Sequence, residues 1–303
     1  MQTTTTTHSN IPINPPEPVL GTENAVLTGT GRRYYVPDYE GCLSIKTVVS
    51  GSALWEAGGR SFVVHENSYL ILNDRRRYTI TIDSTRNVTT FCIFFERGFV
   101  EDVFRSRVTP TSVLLESPAP AVPFQLGFWE KLETHESRLP GLVRWLRQRI
   151  MGGTTSKQAL EDDFYAIAAA LVEEHQQLSV AVAKLPALRS STRLELYRRV
   201  LRGRDYMLSS LDKPVALGDA ARAACLSPYH FHRVFTRAFE ETPHSYLTRQ
   251  RMEKARALLA RKDRSITEVC LESGFESPGT FSSLFRRHFG VSPREFRRAS
   301  HQK

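Results

Sequence analysis

Ser277-Pro278-Gly279-Thr280-Phe281-Ser282-Ser283-Leu284-Phe285-Arg286-Arg287-His288-Phe289 repeats, at a shift of 50, the run Ser227-Pro228-Tyr229-His230-Phe231-His232-Arg233-Val234-Phe235-Thr236-Arg237-Ala238-Phe239. Beyond these runs Pro243 falls on Pro293 and Tyr246 on Phe296. The segment before each run matches at a shift of 49, with Leu217 on Ile266, Ala220 on Val269 and Ala221 on Cys270. The one-residue difference sits in the intervening turn, Cys225-Leu226 in the first copy and Gly274-Phe275-Glu276 in the second. Each copy reads as helix, turn, helix. Ser227 and Ser277 are N-cap residues followed by proline at the first helical position. Three phenylalanines four apart make one apolar face, whereas the opposite face carries His232, Arg233 and Arg237 in the first copy and Ser282, Ser283, Arg286 and Arg287 in the second. Ser265-Ile266-Thr267-Glu268 has the pattern of a capping box. A longer helix starting at Thr242-Pro243 and running through Met252, Ala255, Leu258 and Leu259 would hold the two units at a fixed separation.

Charge follows the same division. Residues 190–303 hold 22 Lys/Arg and 12 Asp/Glu, a net of +10, whereas residues 1–189 hold 19 and 20, a net of −1. A basic segment beside a neutral one suggests a polyanionic partner for the basic one. Two linked reader helices of this kind would enter successive major grooves of double-stranded DNA, about 34 Å apart on one face. A helical repeat module without a nucleic-acid role is the competing reading, disfavoured by the charge, the basic outer faces and the turn chemistry.

The second copy, Ile266-x-x-Val269-Cys270-x-x-x-Gly274-Phe275-x-Ser277-x-x-x-Phe281-x-x-x-Phe285-Arg286-Arg287-x-Phe289-Gly290-x-Ser292-Pro293-x-x-Phe296-Arg297, closely resembles the signature of the AraC/XylS DNA-binding domain, and the resemblance covers residues 193 to 298. It implies recognition helices at roughly 228–239 and 278–289, an N-terminal effector or dimerisation part that is often a cupin-like barrel followed by helices, and RNA polymerase as a partner at promoters. Activation is among the implied roles, with repression left open. Carried over position by position, the base readers fall on Tyr229, His232 and Arg233 in the first helix. In the second they fall on Pro278, Gly279 and Ser283, a departure from the longer polar side chains often found there, so that Thr280 and Ser282 are its remaining short polar candidates. Arg286 and Arg287 are expected to contact phosphates, which position a protein without reading sequence.

Upstream, residues 30–115 read as short strands: 43–49, 61–64, 68–72, 78–82 and 88–95, broken by Gly, Asn and Asp, which argues for a barrel or sandwich. Prolines 118, 120 and 123 close that stretch. A helix is expected from near Phe128 to Ile150, stopped by Gly152-Gly153, and a second over 157–178 with Leu160, Phe164, Ile167, Ala168, Leu171, Val172 and His175 on one face. The expected class is therefore α+β: a disordered tail over 1–25, a cupin-like effector or dimerisation domain with helices over 26–185, and an all-α double helix-turn-helix domain over 190–300. One apolar stripe of the two helices is expected to pack on the barrel and another to pair with a second subunit, giving a homodimer.

Tyr34, Tyr35, Trp55, Tyr69, Tyr78 and Phe91 are candidates to line a ligand pocket for a small-molecule effector, or simply to fill the barrel. No catalytic residue, cofactor or metal site is expected. Cys42, Cys92, Cys225 and Cys270 form no CxxC pair, and His65-Glu66 stands alone in a strand, where neighbours point to opposite faces. This weighs against an enzyme fused to the reader, such as an alkyl-transfer repair protein, which would need a cysteine cluster. A regulator whose N-terminal part only dimerises or binds a protein partner remains the alternative. The Thr3–Thr7 start resembles no secretory signal and no apolar run suits a membrane span, so a cytoplasmic location is expected.

Overall fold

The computed structural model describes residues 13–14, 19–66, 68–109, 126–134, 138–153, 156–183, 190–261 and 264–300. The chain divides into two compact units, Met1–Ser179 and Val180–Lys303. Pro12, Pro15, Pro16 and Pro18, the Pro118–Pro123 stretch and the whole of residues 184–189 lie outside the described residues.

The first unit is a nearly closed β-barrel with helices. Its strands are β1 (Ala25–Gly41), β2 (Ser44–Ser50), β3 (Ser52–Ala57), β4 (Arg60–His65), β5 (Ser68–Leu72), β6 (Arg76–Phe94) and β7 (Leu132–Thr134). All seven belong to one sheet, in the order β4-β3-β6-β2-β5-β7 with β1 also on β6. The long strand β6 organises it. One edge of β6 pairs antiparallel with β1 from Ala25↔Phe94 to Gly41↔Arg76, with register shifts at Gly31/Arg33 and Val36/Tyr39. Its other edge is shared, β3 taking 78–81 and β2 taking 89–94. Changing partners along one strand, with bulges opposite, folds the sheet into two leaves around an interior. Of the segment expected to be a tail, the described part lies against the barrel: the Asn14 amide donates to the Val26 carbonyl at 2.8 Å, and the Thr28 amide donates to Asn14 Oδ1 at 2.7 Å.

Alternation along the strands makes two apolar surfaces. Ile45, Tyr69, Ile71, Phe91, Ile93 and Phe95 join the core formed with the helices. Lys46, Trp55, Tyr78, Ile80, Cys92 and Phe94 instead line the barrel interior. The helices on the sheet are α1 (Phe99–Val108), α2 (Leu139–Met151) and α3 (Lys157–Ala183). Leu139, Val143 and Leu146 of α2, and Leu160, Phe164, Ile167, Ala168, Leu171 and Val172 of α3, are buried in that core. Burying one such Leu, Ile or Phe stabilises by about 1.5–3 kcal/mol.

Two expectations need correction. The strand-like region 30–115 contains the helix α1, which Gly98 opens in the left-handed conformation and which buries Val100 and Val103 at helical spacing. The helix expected from Phe128 begins only at Leu139. Residues 132–134 are strand, because the free edge of β5 takes Leu132 opposite Leu70, and Asn73 Oδ1 accepts the Phe128 amide at 2.8 Å. Among the described residues no helix is long and apolar enough to cross a membrane.

The second unit is all helical: α4 (Ser190–Ser209), α5 (Leu217–Ala223), α6 (Pro228–Phe239), α7 (Pro243–Leu259), α8 (Ile266–Glu272), α9 (Pro278–Phe289) and α10 (Pro293–Ser300). Helix α7 is shared between two cores. Tyr246 near its start meets Phe235 of α6 with ring centroids 5.4 Å apart, whereas Met252, Ala255, Leu258 and Leu259 bury against Val269, Cys270, Phe281 and Phe285.

Candidate nucleic-acid interface

The sequence repeat is a repeat in space. In the first copy Phe231–Phe235 and Phe235–Phe239 ring centroids are 5.4 and 4.5 Å apart, and in the second Phe281–Phe285 and Phe285–Phe289 are 5.7 and 4.6 Å apart. Phe296 meets Phe285 at 5.8 Å, as Tyr246 meets Phe235. Phe231, Val234, Phe235 and Ala238 are buried on α6, and Phe281 and Phe285 on α9.

Turn geometry matches as well. The Ala224 and Leu226 amides donate back to the carbonyls of Ala220 and Ala221 at 3.0 and 2.9 Å. The Ser273 and Phe275 amides donate to those of Val269 and Cys270, both at 3.0 Å. Both turns pass through a left-handed residue, Cys225 at φ 52° and Gly274 at φ 79°. The extra residue Glu276 precedes the second N-cap. Ser227 and Ser277 cap α6 and α9, accepting the amides of His230 and Thr280 at 3.3 and 3.4 Å. The capping box at Ser265 and Glu268 is formed. A second one, which sequence reading did not single out, joins Ser292 and Glu295 at the start of α10, and the Ser292 amide holds the Glu295 carboxyl below its ordinary range.

Two glycines allow this packing. A side chain at Gly203 on α4 would lie 2.4 Å from the Phe231 ring and 2.7 Å from the Ala220 carbonyl oxygen. One at Gly274 would lie 2.0 Å from the Leu211 carbonyl oxygen. That carbonyl also accepts Arg251 Nε from α7 at 2.9 Å, and the same guanidinium reaches the Lys213 carbonyl. Arg251 thus ties the loop before α5 to the turn of the second copy. Burial pushes its pKa down, yet it stays charged at neutral pH.

The outward faces differ. On α6, Tyr229 is 76% exposed, and His232, Arg233 and Arg237 are exposed beside it. The Arg233 guanidinium lies 5.9 Å from the Tyr229 ring centroid, within cation–π reach. On α9 the corresponding places hold Pro278, Gly279 and Ser283, all exposed, and a side chain added at Gly279 would meet only Ser277 Oγ, at 3.8 Å. Thr280 is exposed and Ser282 half-buried; Arg286 and Arg287 are exposed in the last turn. All of the candidate contact residues therefore lie on α6 and α9, and beyond Pro278 and Gly279 the second helix offers two arginines and three short hydroxyl side chains. Other arginines of this unit are engaged internally: Arg249 with Glu241, Arg256 with Glu253 at 2.6 Å, and Arg264 with Glu272 at 3.2 Å.

The barrel candidates separate by face. Tyr34, Trp55 and Tyr78 line the interior cavity, Tyr69 and Phe91 belong to the core shared with the helices, and Tyr35 is exposed. Sequence reading passed over Lys46, which is buried among them. In the alternating strand Leu43-Ser44-Ile45-Lys46-Thr47-Val48-Val49 it shares a face with Ser44, the pattern of an exposed side, so the sequence carried no signal of its burial. Among the described residues no group of three or more His, Cys, Asp or Glu is arranged to hold a metal ion.

A family model described as a helix-turn-helix domain matches residues 220–299. The chain is 31% identical over 98 residues to the melibiose operon regulatory protein of Escherichia coli K12, covering 32% of each chain. It is 46% identical over 72 residues to the HTH-type transcriptional activator RhaS of Escherichia fergusonii, covering 24% of this chain and 26% of that one. A solved transcriptional regulator from Chromobacterium violaceum, described by its AraC-type DNA-binding domain, is 28% identical with a TM-score of 0.33, covering 38% of this chain and 98% of the other. The match thus spans about a third or less of the length of the curated relatives.

Proposed function

We propose that the chain is a sequence-specific DNA-binding transcription regulator of promoters of the AraC type, with residues 190–300 as the reader and residues 26–185 as an effector-responsive and dimerising domain; the helix-turn-helix match over residues 220–299 and the likeness to transcription regulators support this reading. The observation that carries this reading is the duplicated unit around α7, with α6 and α9 presenting exposed polar and basic faces while their phenylalanines are buried.

In this reading α6 does most of the base reading. Tyr229, His232 and Arg233 are long enough to reach base edges, and arginine can bind guanine through two parallel bonds. Arg237 extends the basic face. Helix α9 supplies Arg286, Arg287 and its N-terminal amides to phosphates, with Thr280, Ser282 and Ser283 as short-range contacts. A cavity of about 130 Å³ inside the barrel supports a small-molecule effector. Exposed Trp145 and Met151 on α2 and Tyr165 on α3 support a homodimer through the helices. RNA polymerase is the partner expected at the promoter, from the regulatory character of the relatives, and no catalytic step is assigned.

A fragment comprising residues 190–303 tests the reading. It is expected to bind a target duplex selected from random sequence, with affinity falling steeply as salt rises, because phosphate contacts release counterions. Binding that is insensitive to salt, or confined to residues 1–189, would overturn it. Sedimentation of the full chain at micromolar concentration is expected to show a dimer and the fragment a monomer.

A further inference from the structure

Lys46 is 1% exposed in the barrel interior, on strand β2 between β5 and β6. Its ammonium donates to the Tyr78 hydroxyl at 3.0 Å and sits 3.8 Å from the Phe94 ring centroid and 4.4 Å from that of Tyr78. An ammonium carries three donors, so one hydroxyl and two ring faces leave it short of anionic or acceptor partners. The titratable groups that face this corner are Cys42 before β2, Cys92 and Tyr78 on β6, and Tyr34 and Tyr39 on β1. Among the described residues none is a carboxylate. Asp74, which acts on Cys42, is bound to Arg97 at 3.0 Å instead. Burial pushes Cys42, Cys92 and Tyr78 up, so these stay neutral near pH 7 and offer no counter-charge. The same desolvation pulls Lys46 down to about 8. A buried cation with no anion beside it among the described residues is costly, and here the cation borders space.

That space is the cavity of about 130 Å³, walled by Leu27, Trp55, Tyr78, Ile80 and Phe94 with Lys46 at one place on its lining. It matches an apolar body about the size of a benzene ring. The lining also carries Asn14, Thr28 and Thr90, but it is mainly aromatic and aliphatic, with Lys46 its one charged residue among those described. It therefore favours a ligand with one negative group and a compact apolar remainder over a polyhydroxylated one, most of whose hydroxyls would lose water against apolar walls.

We infer that the barrel cavity binds a small monocarboxylate with an apolar or aromatic body, its carboxylate paired with the Lys46 ammonium and the Tyr78 hydroxyl. This rests on the barrel being the effector domain and not on the reader helices, and it is tested without DNA, so the two readings fail separately.

The experiment is calorimetric titration of the full-length chain with benzoate, with its uncharged counterpart benzamide, with 3-methylbutyrate and with glucose. One of the two carboxylates at least is expected to saturate one site per chain at pH 7, at least tenfold more tightly than benzamide or glucose. Binding requires the ammonium, so it is fully present well below pH 8 and weakens about tenfold per pH unit above it, until the lysine of the complex loses its proton as well. Near pH 8 complex formation takes up a proton, read as a heat that changes with the ionisation enthalpy of the buffer. Lys46→Met keeps the stem and removes the charge, and is expected to abolish carboxylate binding without loss of the thermal transition. Tyr78→Phe, which retains the ring, is expected to weaken it several-fold. Equal binding of benzamide, binding that survives Lys46→Met with its pH dependence intact, or no binding by either carboxylate would each overturn the inference.

Discussion

The two copies of the helix-turn-helix unit share an interior and differ at the surface. Their phenylalanine ladders superpose in spacing to within 0.3 Å between ring centroids, and their turns close the same pair of backbone hydrogen bonds. Yet α6 presents Tyr229, His232 and Arg233 where α9 presents Pro278, Gly279 and Ser283. Packing demands a fixed volume and period, so it constrains the buried face of each copy alike. Nothing inside the fold constrains the outward positions, and there the copies are free to take different work. The turns add a third case, the same backbone conformation reached by cysteine in one copy and glycine in the other.

The strongest way to break the comparison is at Gly274. Alanine there would have to adopt a left-handed conformation and place Cβ 2.0 Å from the Leu211 carbonyl oxygen, which Arg251 holds in place. Gly274→Ala is expected to cost about 3 kcal/mol or more, from strain together with displaced packing. Urea unfolding of the full chain should show the loss in the transition of the C-terminal unit. A change below about 1 kcal/mol would mean that the loop before α5 yields easily and that the units are not tied there.

The outward faces sharpen the comparison next. Arg233→Ala should cost about 1–3 kcal/mol of specific binding and relax preference at one base pair. Arg287→Ala should weaken binding to all sequences alike and lower the salt slope by about one. Both can be read from binding-site selection and salt titration with the two variants in parallel. If the half-site under α9 proves the more sharply specified, the assignment of unequal roles is wrong.

What was legible in the sequence follows from how local each signal is. The repeat could be read because its determinants lie within one turn of each other: a serine cap, a proline, phenylalanines four apart. The barrel could be read as strand-rich, but α1 could not be separated from it, since Phe99, Val100, Val103 and Phe104 are aromatic or β-branched and suit either structure. Strand β7 is decided by the open edge of β5, far away in sequence, rather than by anything in Leu132–Thr134. Arg251 and Lys46 were illegible for a related reason. The first looks like one more basic residue of a DNA-binding domain until its carbonyl partners are seen, and the second like an exposed strand residue until both faces of β2 prove covered.

The smallest effect concerns Cys225, the counterpart of Gly274. Its φ of 52° lies where a side chain costs about 1–2 kcal/mol relative to the right-handed region. The residue is exposed, so its thiol gains little from packing in return. Cys225→Gly removes the strain in the folded chain but adds freedom to the unfolded one, which gives back about 0.5–1 kcal/mol. The balance favours the variant by about 0.5 kcal/mol, an increase of about 2 °C in the melting temperature of the C-terminal unit. The Leu226 amide to Ala221 carbonyl bond should be unaffected, so hydrogen exchange at Leu226 should be no faster than in the parent. A lower melting temperature would show that the Cys225 side chain stabilises its turn by a contact, and that the two turns, alike in backbone, are held by different forces.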